Sequence, residues 1–233
     1  MITKLNWKFK TKYQYYLVDT INSTNTYLKD NYNEYPDKTI LIALEQTAGR
    51  GRYDRVWRSD KDIIFSILLK KNGNYEITTP LAICMALDSF GFNAGIKWPN
   101  DIYLNDKKLA GILIEDVFQL KFEASIIGIG INLTDKESVG GIGLNINIDR
   151  YDLIHAIMKN FDSLNKLTHD ELISLYRNRN IVYNKKVYYK DKVYVAKDID
   201  IDGHLILDDG KKKIVVSSDE INIKESLLWK LKI

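Results

Sequence analysis

Three prolines and a single cysteine in 233 residues narrow the field before any motif is considered. So little proline, beside 15 tyrosines, is the composition of an ordered chain rather than a linker-rich one. One cysteine, Cys84, excludes an intramolecular disulfide and suits a reducing compartment. It lies among Ala82, Ile83, Met85, Ala86 and Leu87, the setting of a buried helical thiol without the electropositive neighbours that a catalytic one needs. The three histidines, His155, His169 and His204, lack zinc-ligand spacing, so no structural metal is expected. No run reaches the roughly 18 apolar residues of a membrane span, and the opening MITKLNWKFKTKYQYY has no continuous apolar core of a signal peptide. A cytoplasmic protein without membrane contact is the simplest expectation. Strong charge is missing as well. A net charge of +3 and a pI near 8.6 are too mild for a nucleic-acid binder, which needs a strongly basic face.

What is present is ordinary for a soluble globular chain: 45% hydrophobic and 28% charged residues. The length fits one large domain, or a medium one with a small partner. Short apolar runs at residues 15–18, 40–44 and 63–69 read as strands, the last two as buried ones. The cap-rich segment Asp19-Thr20-Ile21-Asn22-Ser23-Thr24-Asn25 leads into a helix from Thr26. A helix over 81–90 ends at Gly91, and a strand at 96–98 is stopped by Pro99. Asn105-Asp106 forms a hairpin turn between runs 102–104 and 108–110. Strands at 111–117 and 122–129 follow, then helices over 153–164 and 170–178. From about Tyr183 the pattern changes to short β-type runs at 187–189, 193–195, 204–207 and 214–216, separated by turn signals such as Asp202-Gly203 and Asp208-Asp209-Gly210. The expected organisation is an α+β domain over 1–182 and a small β-barrel over 183–233, the latter marginal alone.

Polar segments interrupt the strands at their ends, where ligand sites gather. Ser23-Thr24-Asn25 offers hydroxyls and an amide that donate and accept, which suits an uncharged polar ring; as a bare motif it is equally a helix N-cap. Gly49-Arg50-Gly51-Arg52, preceded by Gln46 and followed by Arg55 and Trp57, combines a sharply turning backbone with guanidinium forks matched to carboxylate and phosphate. Alone it would be a basic surface turn. Lys97-Trp98-Pro99-Asn100-Asp101 places a lysine between apolar residues, where a phosphate, Asp101 or Glu115 would explain it. In Lys107-Lys108-Leu109-Ala110-Gly111, strand alternation sends one lysine outward and one inward. Gly128-Ile129-Gly130-Ile131-Asn132 lets something flat lie on a strand end, with Asn132 placed to read an adenine edge or a phosphate.

In this order and spacing the five segments, spanning residues 23–132, resemble the biotin protein ligases. The combination of GRGR with KWPND and KLAGI is specific to that family. The tail from Tyr183 resembles its SH3-like barrel, although Asp198 stands where many members have glycine. The resemblance implies a mixed-sheet catalytic domain of the class II synthetase-like biotin/lipoate ligase fold, flanked by helices. It implies ATP with Mg²⁺, biotin as substrate, release of pyrophosphate, a biotinyl-5′-AMP intermediate, and transfer to a lysine of a biotin carboxyl carrier protein. Carried over residue by residue, Ser23, Thr24, Asn25, Gln46, Gly51 and Gly111 would hold biotin, with Lys108 on its carboxylate and Arg50 and Arg52 closing the loop over the intermediate. Lys97 would stabilise the α-phosphate. Arg52, Arg55, Trp57, Asn100 and Asn132 would serve ATP, and Asp101 is assigned as base for the acceptor lysine. The Mg²⁺ ligands are left open. About 14 residues precede the first strand, too few for a helix-turn-helix unit, so the expectation is a ligase without DNA binding. An exposed edge strand can pair two copies as a homodimer or dock the acceptor, and the sequence selects neither. The rivals are a lipoate ligase or lipoyl/octanoyl transferase of the same fold group, and a nucleic-acid module, which the balanced charge disfavours.

Overall fold

Strand and helix alternate along the first half of the chain because short apolar runs are punctuated by caps and turns. The computed structural model describes residues 1–57 and 61–223. In chain order these form β1 (Thr3–Lys4), β2 (Gln14–Ile21), α1 (Thr24–Asp30), β3 (Thr39–Gln46), β4 (Ile63–Leu69), α2 (Tyr75–Ser89), β5 (Gly95–Lys97), β6 (Asp101–Leu104), β7 (Lys107–Phe118) and β8 (Phe122–Ile131). They continue as α3 (Arg150–Leu164), α4 (His169–Arg179), β9 (Lys186–Tyr189), β10 (Lys192–Ile199), β11 (Leu205–Asp208), β12 (Lys213–Val216) and β13 (Asn222–Ile223). The mixed sheet with flanking helices is the expected α+β class. Among the described residues no helix is long and apolar enough to cross a membrane.

The chain divides into two compact units, 1–75 with 104–156, and 76–103 with 157–233. In the first unit the strand order is β1-β2-β3-β4-β8-β7. The β2–β3 pair is parallel and the others are antiparallel. A parallel pair needs a crossover, and α1 supplies it. That helix opens on Ser23, whose side chain accepts from the Thr26 N–H, so the N-cap reading of this serine holds. Beneath α1, Leu28 and Tyr32 pack on Val18, Leu41, Ala43, Leu68, Ala124 and Ile126. Each large aliphatic side chain buried there is worth about 1.5–3 kcal/mol. The runs expected separately at 108–110 and 111–117 are one strand, β7. Gly111 does not break it. Asn105 and Asp106 before it both take positive φ, 50° and 59°, the conformation of a two-residue hairpin turn.

In the second unit β5 and β6 form an antiparallel ladder. The helix expected from residue 81 begins at Tyr75 and runs through Pro80. Ile77, Thr78 and Thr79 are all buried, so packing overrides the proline's local cost. The C-terminal strands make a five-stranded antiparallel sheet, order β12-β11-β10-β9-β13, consistent with an SH3-like domain. Two short strands, β1 and β13, are additions to the sequence reading; two residues carry no periodicity.

Candidate active site

Three alternate rungs of the β7–β8 ladder organise the first unit's polar residues. Gly111 faces Gly130, Leu113 faces Gly128, and Glu115 faces Ile126. Alternation puts these rungs on one face, about 7 Å apart. On the first rung the indole of Trp57 lies against both glycines. A Cβ on Gly130 would fall 2.6 Å from Trp57 Cζ2, and one on Gly111 2.9 Å from Cζ3. The flat group that these glycines admit is therefore the protein's own tryptophan. Among the described residues its Nε1 is buried without a hydrogen-bond partner.

On the second rung sits Asn25. Its amide nitrogen donates to the Leu113 carbonyl and to Glu115 Oε2, both at 3.1 Å. A Cβ on Gly128 would come within 2.8 Å of Asn25 Cγ. Ser66, opposite Gly128 on β4, lies 2.6 Å from Asn25 Oδ1 and 2.7 Å from Thr24 Oγ1. The Thr24 N–H and hydroxyl both donate to Gln46 Oε1, at 2.8 and 3.0 Å. Ser23, Thr24 and Asn25 are all buried. Thus Gln46, Thr24, Ser66 and Asn25 form one hydrogen-bonded chain, rich in groups that donate and accept.

On the third rung Glu115 collects three donors. Arg50 reaches both carboxylate oxygens from Nη2, at 2.8 and 3.0 Å, and Lys29 Nζ lies 3.0 Å away. Asn25 is the third. Burial pushes the Glu115 carboxyl up, but the hydrogen bonds from Lys29, Asn25 and Arg50 and the Arg50 charge outweigh it and leave it below the ordinary 4.5. Glu115, one of the groups that would explain a buried Lys97, pairs with Lys29 and Arg50. A carboxyl depressed in the folded state contributes stability that is present above its unfolded pKa and lost as pH falls through the folded value. The melting-temperature gap between wild type and Glu115→Gln is accordingly expected to be constant at neutral pH and to close below about pH 4.5, read by thermal scans at falling pH.

The GRGR loop folds back on itself. Trp57 N–H donates to the Gly49 carbonyl at 2.8 Å, Gly51 N–H to Arg55 at 2.7 Å, and Arg50 bridges Val56. Arg50 Nε donates to Thr26 Oγ1 at 3.2 Å. Arg52 stacks over Tyr53, which takes a positive φ of 54°. Arg55 is exposed. Across the first rung, Lys107 is exposed while Lys108 turns inward, its Nζ 5.7 Å from the Trp57 ring centre. The main chain of Lys108 is fixed: its carbonyl accepts from Ile142 N–H at 2.9 Å and from the Asn132 amide at 3.3 Å. That amide also donates to the Ile142 carbonyl, so Asn132, expected near adenine, ties the 132–144 loop to β7.

The remaining expected residues lie in the second unit. Lys97 is buried, its Nζ 5.4 Å from the Tyr103 ring centre, and it pairs with Asp101 in the β5–β6 register. Trp98 is buried too, and its Nε1 donates to the Gly203 carbonyl at 3.0 Å. The Trp98–Pro99 bond is cis, and the Pro99 carbonyl accepts from Tyr176 at 3.2 Å. Asn100 and Asp101 are half-buried at the end of this segment.

Sequence reasoning missed Ser66, Lys29 and Thr26. Ser66 had a signal, a lone hydroxyl inside Ile-Ile-Phe-Ser-Ile-Leu-Leu, where nothing but a specific partner justifies it. Among the described residues one cluster could suit a metal, Asp200, Asp202 and His204, and it involves none of the site residues.

Residues 17–132 match the model of the biotin/lipoate A/B protein ligase family, so the chain carries a domain of that family. The Bacillus subtilis protein named bifunctional ligase/repressor BirA is 37% identical over 114 residues, 45% of this chain and 35% of that relative. The chain thus spans about a third of that relative's length. The biotin–[acetyl-CoA-carboxylase] ligase of Mycobacterium tuberculosis is 29% identical over 216 residues, covering 79% of each. Among solved structures, the Aquifex aeolicus biotin protein ligase in complex with biotin and ATP superposes with a TM-score of 0.74 at 22% identity, over 92% of this chain and 99% of that one. That is a likeness of fold.

Proposed function

We propose, from the premise that residues 17–132 belong to the biotin/lipoate A/B protein ligase family, that this chain is an ATP-dependent biotin protein ligase. Biotin and Mg-ATP are the small substrates, and a lysine of a biotin carboxyl carrier protein or domain is the acceptor. The observation that carries the reading is the rung pattern: a side-chain-free floor under Trp57, a neutral hydrogen-bonding chain beside it, and an inward lysine at its end. A ureido ring is neutral and presents both donors and acceptors, which is what Thr24, Asn25, Gln46 and Ser66 offer.

In the first step a biotin carboxylate oxygen attacks the α-phosphorus of ATP, and the bond to the pyrophosphate oxygen breaks. Two anions must meet, so cations have to offset their repulsion. Lys108 is the assigned cation at the new acyl-phosphate link and Lys97 at the α-phosphate. In the second step the acceptor lysine nitrogen attacks the acyl carbon, AMP leaves, and Asp101 is assigned to take the amine proton. No nucleophilic side chain is required. Cys84 could not supply one: burial pushes its thiol up to about 12, which disfavours the acyl-transferase alternative.

The test is pyrophosphate release from Mg-ATP with biotin or lipoate as co-substrate. Release with biotin and not with lipoate is the expected result. Release with lipoate alone would move the chain to the lipoate branch, and release with neither would end the ligase reading.

A further inference from the structure

We propose that Glu115 is a positioning residue that sets the head-group pocket and the arginine loop from one carboxylate; the proposal deepens the ligase reading and its effect on catalysis rests on it. The two ends of the site come from segments far apart in sequence. Asn25 belongs to α1 and Arg50 to the loop after β3, and both close on Glu115 in the middle of β7. Oε2 accepts from both, at 3.1 and 2.8 Å, so neither can move without disturbing the other's partner. From Asn25 the contact continues through Ser66 and Thr24 to Gln46, the residue that opens the loop. The circuit therefore begins and ends on the loop, with Glu115 as its one anionic member.

The same geometry makes the carboxylate dispensable for folding. Lys29 and Arg50 have side chains 41% and 39% exposed, so water replaces the lost charge. Asn25 keeps the Leu113 carbonyl. Burial beneath α1 does not involve the carboxylate. A carboxamide at 115 preserves shape and one acceptor oxygen, but it offers a single neutral oxygen where Arg50 now spans two charged ones.

The experiment compares wild type, Glu115→Gln and Glu115→Asp by two independent readouts. Limited trypsin digestion of the protein without added ligand reports the loop, through cleavage after Arg50, Arg52 and Arg55. Biotin-dependent pyrophosphate exchange then gives KM and kcat. Glu115→Gln is expected to speed loop cleavage about tenfold and to raise KM for biotin about tenfold. It should leave kcat at saturating biotin within about twofold and cleavage elsewhere unchanged. Glu115→Asp, which keeps the charge on a shorter arm, should recover part of both effects. Unchanged loop cleavage in Glu115→Gln overturns the anchor. Faster cleavage with an unchanged KM overturns its role in the pocket. If wild type itself shows no biotin-dependent exchange, the ligase reading fails while the digestion still decides the anchor.

Discussion

Lys108→Ala is expected to cut biotin-dependent pyrophosphate exchange about 1000-fold while melting within a degree or two of wild type. The two halves of that expectation come from different parts of the residue. The main chain of Lys108 is structural, because its carbonyl receives Ile142 and Asn132, and alanine keeps that carbonyl. The side chain turns inward along the first rung toward Trp57. Losing even one neutral hydrogen-bond donor aimed at a developing anion costs about 10²–10³ in rate, and here a charge is lost where two anions meet. A factor of 1000 is about 4 kcal/mol of transition-state stabilisation. The neighbouring Lys107 is the internal control: it is exposed, and Lys107→Ala should exchange at the wild-type rate. Near-normal exchange in Lys108→Ala would remove it from the chemistry.

Gly130→Ala should be nearly as damaging, for a steric reason. The new Cβ would stand 2.6 Å from Trp57 Cζ2 and 2.7 Å from Nε1, closer than real Cβ atoms come. An indole is rigid and cannot yield by changing one terminal bond, so the whole ring must leave the first rung. The expected outcome is a fall in kcat/KM of about 100-fold, with a red shift of tryptophan emission as the ring meets water. Trp57→Ala should show whether the indole or the bare floor matters more: a much smaller loss there would place the damage on the floor. Wild-type emission and kinetics in Gly130→Ala would mean that the ring does not rest on this glycine.

The sequence located the polar segments, because each interrupts an apolar run and strands are legible as such runs. β3, β4 and β8 were recognisable for that reason, and so was the capped start of α1. Partnership was not legible. Arg50 and Glu115 are 65 residues apart, and they meet where β7, paired with β8, turns Glu115 to the same face as Gly111. A slip of one residue would turn Glu115 to the other face. Periodicity gives the face a residue takes within its own strand, but not which residue stands opposite. The start of α2 was hidden for a related reason: residues 77–79 are held by burial that no local propensity encodes. Asn132 shows the same for a single side chain: its strand-end position is legible, its partners are not. Its position at a strand end suggested a ligand, and its amide is engaged by two main-chain carbonyls.

The bond from Trp98 to the Gly203 carbonyl has an evolutionary corollary. A main-chain acceptor is the same chemical group whatever residue bears it. Residues of the turn between β10 and β11 that do not set its path can therefore change and still cap the indole beside Lys97. Two positions are pinned: Gly203, whose φ of +82° disfavours a side chain, and Asp200, whose Oδ1 accepts from the Asp202 and His204 N–H groups. What descent must preserve in this tail is a path of backbone rather than a text. A tail can thus differ in its other letters while the tryptophan it serves keeps its partner.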